Sequence, residues 1–140
     1  MDFKLENQTA IVTGASRGIG RAIALKLGSL GAAVAVNYLH QAPQAEAVAA
    51  AIRETGGRAI AVCADVRKVA EIEGLFDRTV ETFGGVNILV NNAGINFYRE
   101  VAGLTEAEFD DIFAINVKGL FFSCQQAAKR LADGGSVVNI

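Results

Sequence analysis

No apolar run in this sequence approaches the ~20 residues that a membrane-spanning helix needs, so no membrane segment is expected. Charge of one sign is not in excess either. The 13 Lys and Arg stand against 15 Asp and Glu, a net charge of −2, which gives no basis for nucleic acid as a partner. Only two cysteines occur, Cys63 and Cys124, far apart and each inside an apolar run, so both are expected to be small buried residues. With a single histidine, His40, beside them, no metal site is expected. Met1-Asp2-Phe3-Lys4-Leu5-Glu6 has no apolar core of signal-peptide length, which leads to the expectation of a soluble, cytoplasmic protein. Internal repeats, low-complexity tracts and linker-like stretches are lacking as well. What the chain does have is apolar residues. They make up 51% of the 140, against 20% charged, which excludes a disordered chain and supplies a core for one domain, residues 1–140.

The stretch Thr13-Gly14-Ala15-Ser16-Arg17-Gly18-Ile19-Gly20 follows a short apolar run, Thr9-Ala10-Ile11-Val12, and opens into an amphipathic segment, Ile19 to Leu30. A strand, a glycine-rich turn and a helix in that order suit the phosphates of a nucleotide, because the free N–H groups of a helix amino terminus attract anions. Further strands are predicted at 33–36, 59–63, 86–90 and 136–140. Between them run helices marked by Ala45, Val48 and Ile52 after Pro43, and by Val69, Ile72, Phe76, Val80 and Phe83. A third, long helix starts at the capping box Thr105-Glu106-Ala107-Glu108 and carries Phe109, Phe113, Leu120, Cys124 and Leu131 on one side. Strands alternating with helices of this length require a parallel sheet. The expected fold is α/β, a Rossmann-like doubly wound parallel sheet with strand order 3-2-1-4-5. Since the sequence stops inside its fifth apolar strand, that strand is expected to be an exposed edge, the domain incomplete at its carboxyl end, and the chain the front of a longer protein.

Glycines at 14, 18 and 20 do not fit the phosphate loop of kinases and ATPases, since Arg21-Ala22 stands where Lys-Ser/Thr is needed. The cofactor-binding candidates in the turn are Gly14, Ser16, Arg17, Gly18, Ile19 and Gly20. Ser16 either donates to a phosphate oxygen or caps the helix. Arg17 is either a solvated surface residue or, with its fixed fork of donors, the partner of a 2′-phosphate. Where a cofactor without that phosphate usually meets an Asp or Glu, at the end of the second strand, stand Asn37 and Tyr38. NADP rather than NAD is expected. Asn116, between Phe113 and Leu120 on the apolar stripe, is expected to be a buried amide that needs partners.

Thr13-Gly14-x3-Gly18-Ile19-Gly20, Asp65-Val66, Asn91-Asn92-Ala93-Gly94 and Asn116, in this order and spacing, resemble the amino-terminal half of a short-chain dehydrogenase/reductase. The sequence is most similar to 3-oxoacyl-acyl-carrier-protein reductases and related ketoreductases. The resemblance implies that Asp65 and the Val66 backbone hold adenine, unless Asp65 only caps the next helix. It implies that Asn91 and Asn92 brace the sheet, unless they are only turn formers, that Ala93 and Gly94 leave room for ribose, and that Asn116 is a catalytic-site residue holding a water in a proton relay. Phe97, Tyr98 and Arg99 either line the pocket or form a surface loop.

The implied activity is hydride transfer between the nicotinamide and a small-molecule carbonyl or alcohol, such as an acyl-carrier-linked 3-oxoacyl group. The complete protein is expected to be a homo-oligomer. The family's Ser and Tyr-x-x-x-Lys are not found in the 140 residues: four residues after Tyr38 stands Ala42, and four after Tyr98 stands Ala102. This chain alone is therefore expected to seat the cofactor without turnover. The rival expectation is a non-catalytic nucleotide-binding or interaction module, complete at this length.

Overall fold

Successive residues of a strand point to opposite faces of its sheet, and that alternation divides the core of this chain in two. The computed structural model describes residues 4–140; Met1, Asp2 and Phe3, the start of the segment read above as lacking a leader's apolar core, lie outside the described residues. Five parallel strands, β1 (Thr9–Val12), β2 (Ala33–Tyr38), β3 (Arg58–Cys63), β4 (Val86–Asn91) and β5 (Leu131–Asn139), pair in the order β3-β2-β1-β4-β5. The connecting helices are α1 (Gly18–Ser29), α2 (Ala42–Glu54), α3 (Val69–Phe83), α4 (Glu106–Phe113) and α5 (Leu120–Arg130). The expected α/β class and strand order are both observed.

On one face Val12, Val34, Val36 and Val90 meet Ala24 of α1 and Ala45, Val48, Ala49 and Ile52 of α2. On the other, Ile11, Ala35 and Leu89 meet Ile72, Leu75 and Phe76 of α3 and Ala127 of α5. Covering the sheet on both sides in this way explains why its strands read as unbroken apolar runs. Left-handed Gly84 stops α3, and at α4 the expected capping box is present, the Glu108 N–H donating to Thr105 Oγ1 and the Thr105 N–H to Glu108 Oε2. No helix among the described residues is long and apolar enough to cross a membrane.

Several expectations need correction. The long third helix is two helices joined by a π-helical segment, Ala114–Gly119, whose wider turn inserts extra residues into the period. The expected apolar stripe is therefore broken. Phe109 and Phe113 stack at 4.4 Å on the outside, each 47% exposed, in line with exposed Val117 and Phe121. Leu131 is not helical but begins β5, which starts five residues earlier than expected and loses register between Val86 and Ile88. Asn116 lies in the π segment and is exposed, not buried. Cys63, at the last position of β3, is exposed as well, and Cys124 is half-buried. Along β5 every residue after Leu131 is exposed, as expected of an edge.

The α3 side of the core rests on Phe76, which is fully buried. Phe76→Ala should lower the unfolding free energy by about 3–5 kcal/mol, measured by urea denaturation. A loss below about 1 kcal/mol would show that this half of the core is not closed over the ring.

Candidate functional site

Parallel strands present all their carboxyl ends on one side of the sheet, and the loops leaving β1, β2 and β4 converge there because these strands are neighbours. A cleft of about 500 Å³ opens between them. Its lining comes from Gly14 and Ser16–Ile19 after β1, Asn37–Gln41 at the end of β2, Ala64–Arg67 after β3, Asn92–Ile95 after β4, and Ile115.

The turn after β1 is gripped from both sides. From β2, Asn37 Oδ1 accepts from the Gly14 N–H at 3.1 Å, while its Nδ2 donates to the carbonyls of Val62 (3.3 Å) and Ala64 (3.1 Å). From β4, Asn92 Nδ2 donates to the carbonyls of Thr13 (3.0 Å) and Gly14 (3.1 Å). Thr13 closes the seam, its Oγ1 accepting from the N–H groups of Asn92 and Ala93, both at 3.0 Å. No side chain fits at two positions of this turn. A Cβ on Gly14, whose φ is +60°, would lie 3.0 Å from Ala93 Cα, and one on Gly20 would collide with the Asn92 amide and the Gly14 carbonyl.

Helix α1 begins at Gly18 with Arg17 at its cap position, and no side chain among the described residues caps it. Ser16 is therefore not the cap; its hydroxyl donates to Gln41 Oε1 at 3.4 Å, tying the turn to the loop after β2. The first N–H groups of α1 stay free of side-chain partners, the arrangement that attracts an anion. Arg17 is exposed on the cleft wall and makes no ion pair with the described residues.

Asp65 differs in every respect. It is 4% exposed and grips Arg67 instead of capping α3, whose cap position is Lys68. The Arg67 side chain beside it holds the Asp65 carboxyl below its ordinary range, against the upward push of burial, and the Arg67 backbone N–H helps. Val66 is buried beside it.

All the expected site residues line this cleft except Gly20 and Asn116. Gly20 lies underneath, where the turn meets Asn92. Asn116 sits behind Gly94 and bonds to the cleft wall at Ile95, whose N–H donates to Asn116 Oδ1 (2.9 Å) and whose carbonyl accepts from Nδ2 (2.8 Å). Asn37 lines the cleft yet is 2% exposed and committed to the turn, so Tyr38, half-buried at the end of β2, is the residue a ligand would meet there. Phe97, Tyr98 and Arg99 do not line the cleft; Tyr98 is 98% exposed and Arg99 pairs with Glu108 at 2.7 Å. Sequence reasoning passed over Thr13 and Arg67. A threonine directly before the first glycine and a cation two residues after Asp65 were the available signals.

The short chain dehydrogenase family model matches residues 8–140. An uncharacterized oxidoreductase of Methylorubrum extorquens is 46% identical over 137 residues, 98% of this chain and 55% of its own length. The crystal structure of a short chain dehydrogenase from Burkholderia cenocepacia in complex with NADP superposes with a TM-score of 0.94 at 43% identity, covering 97% of this chain and 56% of that one. The angucycline C-6 ketoreductase LanV with bound NADP gives a TM-score of 0.91 at 42% identity, with 97% and 55% covered. The chain spans about half the length of the curated relatives it matches.

Two outcomes are expected from the geometry alone. Asn37→Asp replaces a donor to two carbonyls with a carboxylate and should cost about 1–3 kcal/mol, read as a lower Tm without any ligand. An unchanged Tm would contradict the grip described. The Asp65 carboxyl has its folded pKa lowered, so its contribution to stability is present above the unfolded value of about 3.9 and is lost as pH falls through the folded value. Asp65→Asn should therefore flatten the fall in urea midpoint between about pH 5 and 3, whereas an unaltered slope would show that Asp65 is not the group involved.

Proposed function

The chain belongs to the short-chain dehydrogenase family, and on that premise we propose that its cleft seats NADP for hydride transfer between the nicotinamide and a small-molecule carbonyl or alcohol. The observation that carries the cofactor choice is Arg17, exposed on the cleft wall without an ion pair among the described residues, beside a β2 end that offers Tyr38 and no carboxylate. The Ser16–Gln41 hydrogen bond keeps that end of β2 next to the turn. A 2′-phosphate would meet the Arg17 fork there, with no acid to repel it.

The remaining lining fits the same cofactor. Bare backbone at Gly14 and Gly18 and the uncapped start of α1 suit a pyrophosphate, with Gly20 letting the turn pack on Asn92 beneath. Asp65 and Val66 would hold adenine, while Ala93 and Gly94 leave room for ribose. The bound cofactor supplies hydride from nicotinamide C4. The chain's own residues bind and orient it: Asn37, Thr13 and Asn92 fix the turn, and Asn116 fixes the loop at Ile95. In this proposal Asn116 also holds a water in the proton relay. Neither tyrosine is assigned as proton donor, since neither is followed by Lys four residues on, and the seating of the cofactor is the share of the reaction given to these residues.

The substrate class proposed is a ketone such as an acyl-carrier-linked 3-oxoacyl group, and the likeness to LanV, a ketoreductase, supports that direction. A cytoplasmic location belongs to the same reading. So does a homo-oligomer, for which the exposed stripe Phe109, Phe113, Val117 and Phe121 gives apolar contact area.

Binding measurements test the cofactor. NADPH should bind about tenfold or more tighter than NADH, Arg17→Ala should remove most of that difference, and Tyr38→Asp should move the preference toward NADH. Equal affinities in the unaltered protein would overturn the proposal.

A further inference from the structure

β3 is an outer strand of the sheet, so one row of its backbone groups has no neighbouring strand. Two hydrogen bonds identify the row. The Ala64 N–H donates to the Tyr38 carbonyl of β2 at 2.9 Å, and the Val62 carbonyl accepts from Asn37 of β2 at 3.3 Å. Parallel strands turn alternate residues toward one neighbour, so Arg58, Ile60 and Val62 face β2 while Ala59, Ala61 and Cys63 face outward. Charge, proline and bulges are the usual means by which an edge avoids pairing with another chain. Between Ala59 and Cys63 there is no charged residue, no proline and no break in register.

Among the described residues one side chain bonds to that row. Arg53, in the last turn of α2, donates from Nη1 to the Ala59 carbonyl at 2.9 Å. Its Nη2 pairs with Glu46, two turns earlier on the same helix. Ala59, beside the guanidinium, is 4% exposed, whereas Ala61 is half-buried and Cys63 is exposed.

We propose that the β3 edge is a pairing surface for a second copy of this chain, and that Arg53, held by Glu46, keeps it closed. A two-fold axis at Ala61 would set two such edges antiparallel, with Ala61 opposite Ala61 and Ala59 opposite Cys63. Each of these residues turns both its N–H and its C=O outward, so every pairing is of the hydrogen-bonded kind. Their side chains are small and uncharged, and nothing on the edge itself repels a copy. In this arrangement the Cys63 N–H of one copy needs the Ala59 carbonyl of the other. Arg53 already occupies that carbonyl, and the symmetry repeats the block at both ends of the ladder. The guanidinium also stands in the path that the partner strand must take. The same contact ties α2 to β3, and a purely structural role differs from a guarding one in its response to protein concentration.

The test is sedimentation velocity of the 140-residue chain over a range of concentrations, with amide exchange followed at Ala61 and Cys63. Arg53→Met keeps the aliphatic stem and loses the donors. It should tighten self-association about tenfold or more, as expected when two backbone hydrogen bonds are regained. In that variant the Ala61 and Cys63 N–H groups should exchange more slowly as concentration rises. Ala61→Pro removes an outward N–H without touching the ladder to β2, and combined with Arg53→Met it should abolish the added association. Arg53→Lys can still donate to the Ala59 carbonyl and should associate no more than the unaltered chain. Association of Arg53→Met at the unaltered level would overturn the proposal. So would added association that survives Ala61→Pro, which would belong to the exposed β5 edge or to the apolar stripe of α4 and α5. If the proline disturbs the fold, the exchange of Ala61 and Cys63 decides in its place. If Arg53→Met does not fold, Glu46→Ala, which releases the guanidinium, decides alone, and unchanged association in it counts against the proposal.

Discussion

Asn37 and Asn92 hold the turn after β1 from its two sides, and that turn forms one wall of the cleft. Each amide uses its full chemistry. Asn37 accepts from the turn and donates to the carbonyls at the end of β3, so it links three adjacent segments through one side chain. Asn92 donates twice to the turn, and Thr13 returns the contact by accepting from the two N–H groups after β4. These bonds are possible only because β2 and β4 are the two neighbours of β1. Strand order is thereby a condition of the site and not only of the core.

Within that frame two arginines of the same cleft have opposite roles. Arg17 is exposed and has no ion-pair partner among the described residues, so its charge is available to an incoming anion. Arg67 is consumed by Asp65, and its charge has been turned inward to keep a buried carboxylate ionised. A guanidinium that gives Nε and Nη2 to one carboxylate and turns Nη1 toward Asp111 has little left for a phosphate. The division follows from position: Arg17 stands at the cap position of a helix start facing the cleft, whereas Arg67 sits two residues after a buried acid.

The segment from α4 to α5 shows where periodicity misleads. Counting apolar residues at helical spacing assumes one uninterrupted helix, and that assumption put Asn116 on a buried stripe. The π segment widens the turn at Ala114–Gly119, turns Phe109 and Phe113 outward, and brings Asn116 against the backbone of Ile95. Asn116 does find the partners that its amide needs, but across a loop and not in a core. A similar limit applied to β5, where Asp133-Gly134-Gly135 reads as a turn but lies within a strand that loses register against β4.

The sequence by itself determined the elements up to β4 and the parallel sheet, because apolar periodicity, glycine stops and the strand–helix alternation are local signals. It also marked twelve of the nineteen residues of the cleft lining, since the turn after β1 and the ends of β3 and β4 are spelled by glycine, acid and amide at fixed intervals. Only the tertiary structure decided what those residues do to one another. Asn37 stood in the sequence as a stand-in for a missing acid, and the fold placed it beneath the turn and left Tyr38 to meet the ligand. Thr13 opened the glycine motif without a role of its own, and Arg67 carried no motif that distinguished it. Their importance comes from hydrogen bonds to partners on other strands or to a carboxylate that only folding buries, and such partners have no fixed spacing along the chain.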